Sequence, residues 1–142
     1  MPRLKLVPLE TYSFETDIVV RVTDLNYGGH LGNDRLMSLV HEARVALFAA
    51  HGYTELDCGG VSIIIADTAI VYQGEAFGGD VLRFEVAAGE PTSHGFRIFY
   101  RITRRSDNAP IALVENGIVG FDYETRTKQA LPDEVRAWCT VT

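Results

Sequence analysis

A chain of 142 residues, 46% of them hydrophobic, can bury roughly two thirds of the surface its unfolded form exposes, so one domain spanning 1–142 with a substantial core is expected. A net charge of −6 argues against nucleic acid as a partner, because phosphate binding needs a basic face. No apolar run approaches the roughly 20 residues that cross a bilayer, and the opening MPRLKLVPLETY lacks the apolar segment of a secretory leader, so a cytoplasmic protein with no membrane partner is expected. In chain order, FETDIVVRV (14–22) alternates, with Phe14, Thr16, Ile18, Val20 and Val22 on one face and Glu15, Asp17 and Arg21 on the other. That is the period of a strand buried on one side. LNYGGHLGN (25–33) breaks the pattern with three glycines and ends on Asn33, the predicted N-cap of a helix. From Asp34 to about Ala50, Leu36, Leu39, Val40, Ala43, Leu47 and Ala50 share one arc at 3.6-residue spacing, and HGY (51–53) supplies the stop.

The period then changes. GVSIIIADTAIVY (60–72) is an almost continuous β-branched run, predicting a central strand covered on both faces. Asp67 inside it needs a partner at an interface or a function. DVLRFEVAAGE and GFRIFYRITRR alternate again; in the second, Phe96, Ile98, Tyr100 and Ile102 point inward, while Arg97, Arg101 and Arg105 form an outward row. IALVENGIVGFDY is a last strand whose Gly117 and Gly120 predict a bulge or bend, and LPDEVRAW a short terminal helix opened by Pro132. The order predicts an α+β fold: an antiparallel sheet of about five strands covering one long helix. Cys58 and Cys139 lack metal-ligand spacing and read as two unpaired thiols.

Chemistry concentrates at the mouth of the long helix. Asp34, Ser38, His41 and Glu42 cluster on the arc opposite its apolar stripe, with Arg35 at the edge. His41 and Glu42 diverge by about 100° and form no direct dyad, whereas Glu42 is within reach of Arg35 or Arg44. Asp24 reads as a residue that fixes the loop through backbone N–H groups, and His51 and His94 as turn residues beside Gly52 and Gly95. Ser62 and Ser93 lack a nucleophile-elbow setting, the four histidines show no metal-ligand spacing, and GEAFGGD lacks the Lys-Ser/Thr of a phosphate loop.

The segment Asp24-Leu25-Asn26-Tyr27-Gly28-Gly29-His30-Leu31-Gly32-Asn33 resembles the signature D-x-D-x-x-G-H-V-N-N of hotdog-fold thioesterases related to 4-hydroxybenzoyl-CoA thioesterase, with Ala43-Arg44 closing the helix motif E-x-A-R. DTAIVYQGEAFGGD and TRTKQALPDEV are similar to later segments of that family, so the resemblance covers about residues 14–136. It implies a hotdog fold, a sheet wrapped around a central helix, and a homodimer or dimer of dimers with two sites at the interface. It implies acyl-CoA (or an acyl carrier protein thioester) as substrate, water as acyl acceptor, and neither cofactor nor metal. By position, the Asn33 backbone N–H would hold the oxyanion, where a helix N-terminus offers unpaired donors and a positive dipole end. Many relatives carry a catalytic Asp where this chain has Asn26, and an amide cannot take a proton. Asn26 would therefore orient the water or the thioester. His41, about two turns beyond Asn33, would serve as general base. His30, Gly29, Asp34 and Glu42 would contact substrate; His30 could equally hold the loop. The loss of the Asp also fits a non-catalytic acyl-CoA-binding module, and a hydroxyacyl-thioester dehydratase is a further alternative. Arg97, Arg101 and Arg105 could meet the phosphates of coenzyme A.

Overall fold

The computed structural model describes residues 3–140. Strand β1, Phe14–Val19, alternates half-buried and exposed residues as its period predicts, but it stops short of Val22, which opens a 3-10 turn, Val22–Asp24, and is largely exposed. Helix α1, Asn33–Ala50, starts one residue earlier than expected: Gly32, at φ −68° and ψ 144°, is the N-cap, and Asn33 is the first helical residue. Leu36, Leu39, Val40, Ala43 and Leu47 are buried along the predicted stripe; Phe48 and Arg44 join them, and Ala50 is exposed. The helix stops because Gly52 takes φ +75°, so that the Tyr53 N–H reaches Phe48 O at 2.9 Å and the Gly52 N–H reaches Ala49 O at 3.0 Å. These two bonds satisfy carbonyls that the helix end would otherwise orphan.

Strands β2 (Ile63–Tyr72), β3 (Val81–Gly89), β4 (Gly95–Arg104) and β5 (Pro110–Asp122) follow, then a two-residue β6 (Thr127–Lys128) and α2 (Asp133–Thr140). All pairings are antiparallel, in the order β1-β3-β4-β5-β2, with β6 added to the end of β5. Phe84, Ile98, Tyr100 and Ile102 form the sheet's inner face in the same core as α1. The expectation of a central strand at 60–72 is corrected: β2 is an edge, paired with β5 on one side only, and most of it is half-buried or exposed. An apolar β-branched run reads the same in a central strand and in an edge that a partner covers.

Opposite Gly117 the irregularity lies in β2, whose register slips between Ile65 and Asp67, and β5 carries a second one where the register shifts between Ile102 and Thr103. The slip turns Asp67 to the outer face, where Arg97 donates to it at 2.7 Å and holds its carboxyl below the usual range. Gly117 makes room for this pair, since a Cβ there would sit 2.6 Å from Asp67 Oδ2. The outward row of arginines is likewise consumed within the sheet: Arg97 also meets Glu115, Arg101 grips Glu85 with two bonds, and Arg105 meets Asp17 and Glu15. Paired in this way, these arginines do not offer a free basic patch to coenzyme A phosphates.

Cys58 and Cys139 are both free and buried, and burial pushes each thiol up to about 12. The thiolate is the reactive form. At pH 8 a thiol reagent is expected to label the native protein at least about 10²-fold more slowly than the denatured chain. Equal rates in the two states would contradict the buried placement.

Candidate active site

The loop between β1 and α1 is held by side chains spent on its own backbone. Asp24 is 1% exposed; its Oδ2 accepts the Arg21 N–H at 2.8 Å, and the Gly32 N–H donates to its carbonyl at 3.0 Å. Burial pushes the Asp24 carboxyl up, but the Arg21 guanidinium and N–H outweigh it and hold the group below the ordinary range. Its stabilisation is therefore present above the unfolded-state value, near pH 4, and is lost as pH falls through the lower folded value. Asp24→Ala is expected to cost about 1–3 kcal/mol in denaturant melts, as for a buried capping carboxylate. An unchanged midpoint would show the loop to be held by other groups.

Asn26 Oδ1 accepts the N–H groups of Gly28 at 2.9 Å and His30 at 3.4 Å, while the Asn26 N–H reaches His30 O at 2.9 Å. Gly29 takes φ +79°, which favours glycine. With its oxygen committed to the loop, Asn26 presents only its NH₂ donors outward. His30 Nδ1–H donates to Leu31 O at 3.1 Å, leaving Nε2 as the free lone pair of the neutral ring. The Leu31 N–H to Ala76 O bond, 2.7 Å, stitches the loop to the β2–β3 connection.

These contacts set Asn26, His30, Leu31, Asn33, Tyr72, Gly74 and Glu75 around a depression of about 360 Å³ at the N-terminus of α1. The N–H groups of Asp34 and Arg35 are taken by Asn33 Oδ1 and Asp34 Oδ1, each at 3.0 Å, and the Leu36 N–H by Gly32 O at 3.0 Å. The Asn33 N–H has no acceptor among the described residues. An unpaired amide at the positive end of a helix, opening on a depression, is a ready donor for a developing oxyanion.

A second depression, about 330 Å³, lies further along the groove between α1 and β2 and is lined by Met37, Ser38, Val40, His41, Arg44, Ile65, Thr68 and Asn116. Here His41 Nε2–H donates to Glu55 Oε1 at 2.6 Å, which leaves Nδ1 as the lone pair of a half-exposed imidazole. Glu55 Oε2 also lies 3.6 Å from Arg44 Nε.

A model of the thioesterase-like superfamily matches residues 20–139. The chain belongs to the thioesterase-like superfamily. It is 30% identical over 136 residues to the 1,4-dihydroxy-2-naphthoyl-CoA hydrolases of Synechococcus elongatus and Synechococcus sp., covering 92% of this chain and 96% of theirs. Among solved structures, the 1,4-dihydroxy-2-naphthoyl-CoA thioesterase of Synechocystis superposes with a TM-score of 0.76 at 19% identity, over 84% of this chain and 89% of that one. A hypothetical protein from Aquifex aeolicus does so at 0.79 and 15% identity, over 89% of this chain and 99% of that one. The fold is the hotdog fold.

Of the residues singled out in this thioesterase-like sequence, Asn26, His30 and Asn33 come together, with Gly29 in the same loop. Asp34 turns its Oδ1 to the Arg35 N–H. His41 lies in the second depression, and Glu42 in a third, about 450 Å³, between α1 and β1 with Arg21 and Ser38. Arg44 turns to Glu55 and Asn116 instead of Glu42. Tyr72 and Glu75 at the first depression, and Glu55, Thr68 and Asn116 at the second, carry no local sequence signal, because only the tertiary fold brings them to α1.

Proposed function

We propose that this chain hydrolyses acyl-CoA thioesters at a site built jointly by two copies. The observation that carries the reading is the unpaired Asn33 N–H at the mouth of α1. With the thioester carbonyl against that amide and the Asn26 NH₂, water attacks the carbonyl carbon, and His41 Nδ1 takes its proton while Glu55 holds Nε2–H. The tetrahedral oxyanion is stabilised at Asn33. It collapses with cleavage of the C–S bond, and His41 returns the proton to the leaving thiolate.

Within one chain His41 stands eight residues beyond Asn33, about 12 Å along the helix, too far for both to touch one carbonyl. Pairing through the open edge of β2 would close that gap. Two copies pairing antiparallel along β2 about a two-fold axis set the Tyr72 end of one strand beside the Ile63–Ile65 end of the other. Ile65 lines the His41 depression and Tyr72 the Asn33 depression, so each Asn33 would meet His41 of the partner subunit. A homodimer is therefore the working unit, and it covers a ten-residue apolar edge. The two buried free thiols accord with a reducing cytoplasm. No described helix is long and apolar enough to cross a membrane.

The substrate named for the curated relatives, 1,4-dihydroxy-2-naphthoyl-CoA, is the first to test, beside short and long fatty acyl-CoAs. Free-thiol release from the aromatic thioester, by a protein with the mass of a dimer, is the expected result. No turnover across the panel, with acyl-CoA still raising the melting temperature, would support the binding module instead.

A further inference from the structure

Glu55 stands on the loop between α1 and β2, its backbone held by the Ile63 N–H, which reaches Glu55 O at 2.9 Å. Two side chains meet its carboxylate: Oε1 accepts His41 Nε2–H at 2.6 Å, and Oε2 lies 3.6 Å from Arg44 Nε. His41 and Arg44 are three residues apart on one face of α1, so a single carboxylate spans both. The two partners differ in freedom. His41 is half-exposed, whereas Arg44 is 6% exposed and fixed from the sheet side: its Nη1 donates to Asn116 Oδ1 at 3.1 Å, and it also donates to the Tyr100 hydroxyl. Tyr100 and Asn116 are buried and locked in turn, the Tyr100 hydroxyl giving its proton to Asn116 Oδ1 at 2.5 Å and Asn116 Nδ2–H bonding Thr68 Oγ1 at 2.9 Å. Residues from α1, β2, β4 and β5 thus set the plane of this guanidinium. Its Nε is buried without a hydrogen bond, and the carboxylate beside it is that of Glu55. An unused buried donor is costly, so the arrangement draws Glu55 toward Arg44.

We propose that Arg44 is a positioning residue for the hydrolysis: fixed by Asn116 and Tyr100, it holds Glu55 in the orientation that aims His41 Nδ1 at the attacking water. The proposal rests on the reading of His41 as general base. A glutamate side chain on a loop has several staggered rotamers, and a bond to a half-exposed imidazole does not by itself select one. A rigid planar cation at the second oxygen does, and a base held in this way reaches the transition state without reorienting. Arg44 acts through Glu55 and not on the substrate.

The test is a double-mutant cycle in kcat on 1,4-dihydroxy-2-naphthoyl-CoA, with Arg44→Met, Glu55→Gln and the two combined. Arg44→Met is expected to lower kcat about 10–100-fold with little change in KM, the cost of a slightly misplaced group. In the Glu55→Gln background it should lower kcat no further, as for groups that act as one unit. Arg44→Lys, which keeps the charge without the fork, should fall between wild type and Arg44→Met, and it takes the place of Arg44→Met in the cycle if that variant does not fold. Losses that multiply, or a change confined to KM, would overturn the proposal and leave the thioesterase reading standing. If wild type hydrolyses no thioester of the panel, or His41→Ala remains active, the reading of His41 fails, and the proton NMR spectrum decides the inference. The ring N–H resonance of His41, assigned by its loss in His41→Ala, is then expected in wild type and weakened or lost in the folded Arg44 variant. An unchanged resonance in that variant, or none in wild type, overturns the proposal.

Discussion

Asn33→Pro lowers kcat by about 10²–10³-fold, the loss typical of removing one oxyanion donor, while the protein keeps its fold. Proline deletes the Asn33 N–H, which has no acceptor among the described residues. At the first position of a helix it costs no intrahelical hydrogen bond, and its fixed φ suits the helix. The residue before a proline must be extended, and Gly32 at φ −68° and ψ 144° already is. The side chain is lost as well, together with its bond to the Asp34 N–H. Asn33→Ala controls for that, and should retain most of the activity that Asn33→Pro loses. A proline variant with wild-type kcat would remove the Asn33 amide from the chemistry.

His41→Ala is expected to cost about 10²–10⁴-fold in kcat/KM, the range for loss of a general base. Its imidazole is half-exposed, so the fold should tolerate the change. Glu55→Gln should lose less than His41→Ala, because Glu55 fixes the tautomer without touching substrate. Glu75 is the competing carboxylate, since it lines the Asn33 depression of the same chain. A set in which Glu75→Gln is inactive and His41→Ala is not would move the base to Glu75.

Much of the fold is legible where burial is one-sided. The alternation in 14–19 and 95–104 and the stripe on α1 correspond to β1, β4 and the buried helix face, because each of these elements packs its apolar side on one core. The edge position of β2 is not legible, since an apolar run does not say whether its neighbour comes from its own chain. β6, two residues long, is too short to show a period. Arg97, Arg101 and Arg105 do point outward, yet their pairing depends on register: Arg101 stands opposite Glu85 across β3 and β4, which no local pattern reveals. The site divides in the same way. Asn26, His30 and Asn33 fall within one short stretch, so the loop motif discloses them together. Glu55 lies fourteen residues beyond its partner His41, and Asn116 seventy-two beyond Arg44, and both arrive only through tertiary packing.

The joint site is tested most directly by mixing the two inactive variants. Asn33→Pro and His41→Ala homodimers each lack one half of both sites, whereas a mixed dimer has one site with both halves intact. After unfolding together and refolding, thiol release is expected to recover to about a quarter of wild type, half the dimers being mixed with one working site of two. Activity that stays at the level of the separate variants would contradict a site shared between subunits.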